Sequence, residues 1–272
     1  MKKILVPIDF SNASRNAEEY AISLAKIFGA EVQVLHVYKE LMPVTVGPEP
    51  WSVTISELHV ENERLVNKEV DYLKAKYAVD VKGNLQIGVK GKTIDSFAKE
   101  TGTDFIVMGI RSGRRNKILG STVLHTIHKT KLPVLIIPDE AKFDSIKNIV
   151  IAVDFTEMLN SSCFDALHDI YQKFDSSVKV LHVEIPGAEL KASEVPEKLQ
   201  LGLALSRFNY QYEKAEGYEV EEAVQNFIDK HPTDLLVLIA HHHTIYERIF
   251  ETMHTKSLSF KLKKPLLVLK QQ

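Results

Sequence analysis

The chain has one cysteine, Cys163, in 272 residues, which excludes an internal disulfide and suits a reducing compartment. It also lacks an excess of either charge. Lys and Arg number 34 against 36 Asp and Glu, for a net charge of -2, so nothing pulls the whole molecule toward nucleic acid or an anionic membrane. No stretch approaches roughly 18 consecutive apolar residues, so no membrane span is expected. Met1-Lys2-Lys3-Ile4-Leu5-Val6 has the charge-then-apolar order of a signal peptide. Its apolar run ends at Asp9, too early for an export signal, and a cytoplasmic location is expected. Catalytic motifs are missing as well. There is no nucleophile elbow, no metalloprotease helix and no Ser-Gly-Gly loop of the pyrophosphatase kind. Hydrolysis would need a positioned base, and only Asp9 offers itself, so no residue is assigned a catalytic role.

What is present is said twice. Ile4-Leu5-Val6-Pro7-Ile8-Asp9-Phe10 recurs as Ile149-Val150-Ile151-Ala152-Val153-Asp154-Phe155, and Leu35-His36-Val37 as Leu181-His182-Val183. Thr103-Asp104-Phe105-Ile106-Val107-Met108 recurs as Thr233-Asp234-Leu235-Leu236-Val237-Leu238. Lys131-Leu132-Pro133-Val134-Leu135-Ile136 recurs as Lys264-Pro265-Leu266-Leu267-Val268. Matches in the same order imply a duplicated domain, with boundaries expected at 1–140 and 147–272 and a short charged linker between. The copies diverge after the third match. The first continues through Gly109-Ile110-Arg111-Ser112-Gly113-Arg114-Arg115 to Gly120-Ser121-Thr122. The second has His241-His242-His243-Thr244 and then Glu251-Thr252.

Val- and Ile-rich runs alternate with helix-period segments, which predicts βα units on parallel sheets buried on both faces. Strands are expected near 3–8, 31–37, 81–87, 104–109 and 133–137, and again near 148–153, 178–183, 206–213, 234–239 and 265–269. In the 206–213 run, Phe208, Tyr210 and Tyr212 alternate with polar residues. Helices are expected near 12–28, 54–77, 92–101 and 118–129, the first capped by Ser11 or Asn12 and stopped at Gly29. Segment 39–51 reads as a Pro-rich loop, with Trp51 packing it or flanking a ligand. The second copy is shorter between its second and third strands.

Ligands of open α/β sheets sit outside the carboxyl ends of strands where strand order reverses. Strand 1 delivers Pro7, Ile8, Asp9 and Phe10 there, and strand 4 delivers Gly109, Ile110 and Arg111. Gly109 and Gly113 permit positive φ and close approach of another group to the backbone. Gly120-Ser121-Thr122 opens a helix, where free N–H groups, the helix dipole and two hydroxyls attract an anion. Arg111, Arg114, Arg115 and Lys117 add positive charge. The combination points to a phosphate group, with Asp9 available to a ribose or base. Asp9 has a second reading as a helix cap, which its repeat at Asp154 supports.

These motifs, above all Ile4-Leu5-Val6-Pro7-Ile8-Asp9, Asp104-Phe105-Ile106-Val107-Met108-Gly109, Gly120-Ser121 and Leu132-Pro133-Val134-Leu135-Ile136, resemble the universal stress proteins of the UspA family, arranged in tandem. The resemblance covers essentially the whole chain. It implies two Rossmann-like domains, each a five-stranded parallel sheet flanked by helices, packed as an intramolecular pseudo-dimer through their fifth strands. It implies that the first domain binds ATP or another adenine nucleotide, with or without Mg. Pro7 and Ile8 would belong to the binding site, Asp9 and the backbone near Val37 would hold adenosine, Gly109 and Arg111 would lie near ribose and phosphates, and Gly113, Gly120, Ser121 and Thr122 would line the phosphate chain. The second domain would be a degenerate partner. Three residues separate Gly109 from Gly113 and six separate Gly113 from Gly120, a shorter loop than the family's usual one, which leaves a monophosphate or another phosphorylated ligand open. The role implied is stress signalling, in which the nucleotide alters a surface read by a protein partner. A scaffold without nucleotide, a slow ATP hydrolase and a further homodimer remain alternatives.

Other features have plainer readings. Gly88-Val89-Lys90-Gly91-Lys92-Thr93 imitates a P-loop but has two residues between its glycines where a P-loop needs four. It reads as the turn into the third helix, with Lys90 and Lys92 near the same sheet edge. His241-His242-His243 with His254 lacks a cysteine or carboxylate partner and is not assigned a metal. His36 and His182 recur inside strands and read as structural, and Cys163 as a small buried hydrophobe on an amphipathic helix.

Overall fold

The computed structural model describes residues 1–39, 55–111, 120–153, 160–184, 194–240 and 262–270. The first half runs β1 (Lys3–Ile8), α1 (Asn12–Phe28), β2 (Glu31–Tyr38), α2 (Ile55–Tyr77), β3 (Val81–Ile87), α3 (Lys90–Thr101), β4 (Phe105–Ile110), α4 (Ser121–Lys129) and β5 (Val134–Pro138). The second runs β6 (Asn148–Val153), a 3-10 turn (Ser161–Phe164), α5 (Asp165–Phe174), β7 (Ser177–Glu184), α6 (Glu194–Ala204), β8 (Tyr210–Glu216), α7 (Val220–Lys230), β9 (Leu235–Ala240) and β10 (Leu266–Lys270).

All ten strands lie in one sheet, ordered β3-β2-β1-β4-β5-β10-β9-β6-β7-β8. Each half is internally parallel, as continuous apolar strands buried on both faces require. The halves meet where β5 and β10 pair antiparallel, with Ile136 opposite Leu266, Leu135 opposite Leu267 and Val134 opposite Val268. The pairing through the fifth strands thus holds, and a local two-fold relates the halves. The carboxyl edge of the first half therefore lies at the opposite end of the sheet from that of the second.

Two hydrophobic cores cover the two faces, and each crosses the seam. One packs α1, α2, α5 and α6 on Ile4, Val6, Val107, Leu135, Val237 and Leu267. The other packs α3, α4 and α7 on Leu5, Ile106, Ile136, Leu236, Leu238 and Val268. The linker belongs to the first core. Phe143 meets Tyr20 of α1 edge-on at 4.9 Å and Phe174 of α5 at 6.1 Å. Asn16 donates to the carbonyls of Pro138 and Ala141, and Lys142 donates to Asn16.

Local chemistry explains the element ends. Ser11 caps α1 by accepting from the Ser14 N–H at 3.2 Å, and Gly29 ends it in the left-handed region at φ 66°. The repeated Thr-Asp also has a job. Asp104 accepts from the N–H groups of Lys2 and Lys3, and Asp234 from those of Lys147 and Asn148, tying β4 to β1 and β9 to β6 at their amino ends. α6 has 11 residues where α2 has 23, which accounts for most of the shortening of the second copy there.

Two expectations need correction. The strand expected at 206–213 begins at Tyr210, because Phe208 lies ahead of it as a buried plug against Phe164 and Tyr171. Cys163 sits in the 3-10 turn, not on an α-helix, and burial pushes its thiol up to about 12, so it behaves as an inert apolar group. Trp51, nearly all of the 39–51 loop, Asp154, His241–His243, Glu251 and His254 lie outside the described residues. Among the described residues no helix is long and apolar enough to cross a membrane, and no group of three metal-ligating side chains forms.

Because both cores cross the seam, chemical denaturation should show one cooperative transition by near- and far-UV circular dichroism. Leu267→Ala, at a fully buried seam position, should cost about 2–5 kcal/mol without splitting that transition.

Candidate functional site

At the carboxyl edge of the first half, the order β2-β1-β4 places the ends of β1 and β4 side by side where the winding reverses. A cleft of about 280 Å³ opens there. β1 and the turn after it contribute Pro7, Ile8, Asp9 and Ser11, and β2 contributes Leu35 and Val37. β4 and the residue beyond it supply Met108, Gly109, Ile110 and Arg111, while α4 and its cap supply Gly120, Thr122 and Val123. Ala13 and Ser14 of α1 and Lys90 and Ile94 of α3 complete the lining among the described residues.

The sequence-derived site thus converges for Pro7, Ile8, Asp9, Val37, Gly109, Arg111, Gly120 and Thr122. Ser121 is not among the lining residues; it is the exposed first residue of α4, which starts three residues later than the expected 118. Gly113, Arg114, Arg115 and Lys117 lie outside the described residues. Sequence reasoning missed Ser11, Ala13, Ser14 and Ile94 as lining, since only the fold brings α1 and α3 to this edge.

The β1–α1 turn is tightly specified. Asp9 Oδ1 accepts from the Ser11 N–H at 3.0 Å, so it supports the capping residue, while Ser11 itself makes the cap. The reading of Asp9 as the helix cap is thus corrected in favour of Ser11, and the Asp9 side chain is exposed and lines the cleft. Between them Phe10 takes a positive φ of 62°, a conformation that costs a bulky residue about 1–3 kcal/mol. Its ring lies 4.7 Å from that of His36. His36 is held by both nitrogens, 3.0 Å from the Ile8 carbonyl and 3.1 Å from Asn62 Oδ1. His182 repeats the first contact with the Val153 carbonyl at 3.4 Å. Both histidines fasten a strand end.

The glycines divide into two kinds. A Cβ on Gly109 would sit 2.1 Å from the Ala13 carbonyl oxygen, so glycine is needed there to let the start of α1 cross β4. Its φ is not positive, and its first role is to shape the cleft wall. A Cβ on Gly120 would meet nothing within 4 Å. Gly120 also leaves α4 without a side-chain cap from its N-cap residue, so among the described residues the N–H groups of that helix start are left to an acceptor from outside the helix.

Behind the cleft wall lies a pair of buried carboxyls. Ser14 Oγ accepts from the Asp9 N–H at 3.3 Å and donates to Glu18 Oε1 at 3.1 Å. Glu18 is fully buried and its Oε2 has no hydrogen-bond partner among the described residues, while Glu69 of α2 beside it takes a two-pronged grip from Arg15 at 3.2 and 3.1 Å. Burial first, then the charge of Glu69, push the Glu18 carboxyl up to about 8. Ser14, Glu18, Ile22 and Ala25 form one buried stripe of α1, so the signal in the sequence was a glutamate on the apolar face. Since Glu18 binds its proton more tightly folded than unfolded, its contribution is fully present below about pH 4.5 and is lost as pH rises to about 8. Glu18→Gln keeps the neutral shape. It should flatten the stability profile between pH 5 and 9 and gain about 1–3 kcal/mol at pH 9; urea titrations across that range measure both effects.

The sheet order defines a doubly wound α/β domain, duplicated in one chain, with the edge cleft and the uncapped helix start described in its first copy. The profile of the Universal stress protein family matches residues 1–138, up to the end of β5, and the chain belongs to that family. Universal stress protein MJ0531 of Methanocaldococcus jannaschii is 32% identical over 143 residues, which span 52% of this chain and 84% of that protein. Universal stress protein YxiE of Bacillus subtilis is 33% identical over 147 residues, 50% of this chain and 97% of that one. A universal stress protein structure from Archaeoglobus fulgidus superposes over 99% of this chain and 98% of its own with a TM-score of 0.73 at 17% identity, a likeness of fold that includes both halves.

Proposed function

We propose that the first half, residues 1–140, binds an adenine nucleotide (ATP, ADP or AMP) in the cleft. The chain then acts as a nucleotide-responsive regulator in stress response, and the half at 147–272 serves as a degenerate partner. The observation that carries this reading is the make-up of the cleft at the β1/β4 switch point. Leu35, Val37, Ile94 and Met108 offer an apolar slot suited to a flat base. Asp9 offers a carboxylate to ribose hydroxyls. Arg111, Thr122 and the uncapped start of α4 offer positive charge, a hydroxyl and N–H groups to phosphate. Membership of the universal stress protein family supports the same reading. Asp9 is the single carboxylate among the described lining residues, so a magnesium ion held with the phosphates would take little from this stretch of the chain. With no second carboxylate and no histidine beside Asp9 in the described lining, the cleft favours binding over hydrolysis. A nucleotide spanning β1, β4 and α4 would change a surface open to a protein partner.

Thermal or chemical unfolding with AMP, ADP and ATP tests the proposal. A nucleotide at 100 times its dissociation constant should add about 2.7 kcal/mol. Gly120→Leu introduces a side chain where the fold has room and the cleft does not, so it should leave the unliganded melting curve unchanged and abolish the shift. The reading fails if no nucleotide moves the wild-type transition at millimolar concentration.

A further inference from the structure

The segment Gly88-Val89-Lys90-Gly91-Lys92-Thr93 carries the residue types of a phosphate loop without its spacing. Gly88 and Val89 form the turn into α3 and residues 90–93 its first turn, and their close contacts say why glycine stands where it does. A Cβ on Gly88 would lie 2.4 Å from Thr93 Oγ1, so that glycine tightens the turn. A Cβ on Gly91 would lie 2.6 Å from His125 Cβ, 2.9 Å from the His125 carbonyl carbon and 3.1 Å from the Thr126 N. Gly91 therefore lets the first turn of α3 press on the backbone of α4, one turn beyond its start. Lys90, the residue before it, lines the same cleft as Gly120 and Thr122.

Lys90 and Arg111 are the cations among the described lining residues, set against the single anion Asp9. They are not equivalent. Arg111 is exposed, whereas Lys90 is half-buried, and a partly desolvated charge attracts an anion more strongly than one in open water. Lys90 also has no carboxylate partner among the described residues. Lys74, Lys76, Lys82, Lys99, Lys179 and Lys214 by contrast each pair with an acid. α3 starts without a side-chain cap, its N-cap being Val89, so its own dipole adds to the positive potential around Lys90.

We infer that Lys90 is the residue by which this cleft distinguishes a phosphorylated ligand from its unphosphorylated counterpart, its ammonium group contacting the anionic end while the apolar slot holds the base. The inference rests on the adenine-nucleotide reading and adds to it a specific cation from α3. Calorimetric titration of wild type, Lys90→Gln and Lys90→Arg with AMP, adenosine and pyrophosphate tests it at one ionic strength, with circular dichroism and melting curves matched beforehand. Lys90→Gln should weaken AMP about tenfold, equivalent to about 1.4 kcal/mol, and change adenosine by less than about twofold, while Lys90→Arg keeps most of the AMP affinity. Equal losses for AMP and adenosine would overturn the inference, because Lys90 would then act on the shape of the cleft. Unchanged AMP affinity in Lys90→Gln would overturn it while leaving the nucleotide reading intact. Pyrophosphate binding that depends on Lys90, in a chain that binds AMP no better than pyrophosphate and ignores adenosine, would remove the adenine reading and keep the cation's role. A wild type that binds none of the three removes both.

Discussion

The antiparallel pairing of β5 with β10 is the constraint on which the molecule depends. Each half alone would end in an open strand whose N–H and C=O groups lack partners, a standing invitation to aggregation. Pairing the two ends satisfies those groups, merges two five-stranded sheets into one and lets each hydrophobic core run from half to half. The linker has little freedom as a result. Phe143 and Ile146 are drawn into the core, and Asn16 and Lys142 hold the linker backbone against α1.

The cleft is shaped by backbone approaching backbone. Gly109 lets the start of α1 cross β4, and Gly91 lets α3 press on α4, so the walls stand where polar groups from three helices reach one space. The strained Phe10 turn is over-determined by Asp9, Ser11, Ser14 and His36. Strain of this kind persists where surrounding contacts fix a geometry, here the aim of Asp9 at the end of β1. The buried Glu18 continues the same hydrogen-bond chain into the protein, so the wall facing a ligand and the acid pair between α1 and α2 share Ser14 as a common element.

Most strands were legible because a strand buried on both faces writes itself as an unbroken apolar run, and the duplication checked each assignment against its copy. Ser11 and Gly29 were legible because caps have strong local chemistry. Phe208 was misplaced because alternation cannot tell a strand from a buried residue just ahead of one. The site was legible where strands deliver it, as with Asp9, Val37 and Gly109. It was not legible where helices from elsewhere in the chain arrive, as with Ser14 and Ile94. The two cleft glycines were found for a reason only half right: Gly109 answers first to Ala13, whereas Gly120 has open space where a side chain would be. Glu18 escaped notice because a charged residue on a helix usually faces water.

A seam made inside one chain forms irrespective of protein concentration, so dilution that would dissociate a pair of separate subunits leaves it closed. It also breaks a symmetry of inheritance. In a pair of identical subunits every substitution appears twice, once at each sheet edge. Here the two edges point in opposite directions and are encoded by different stretches of sequence, so a change at Gly109 or Gly120 touches one edge alone. The shared framework of β5 and β10 can be held constant while one edge is kept and the other is rewritten.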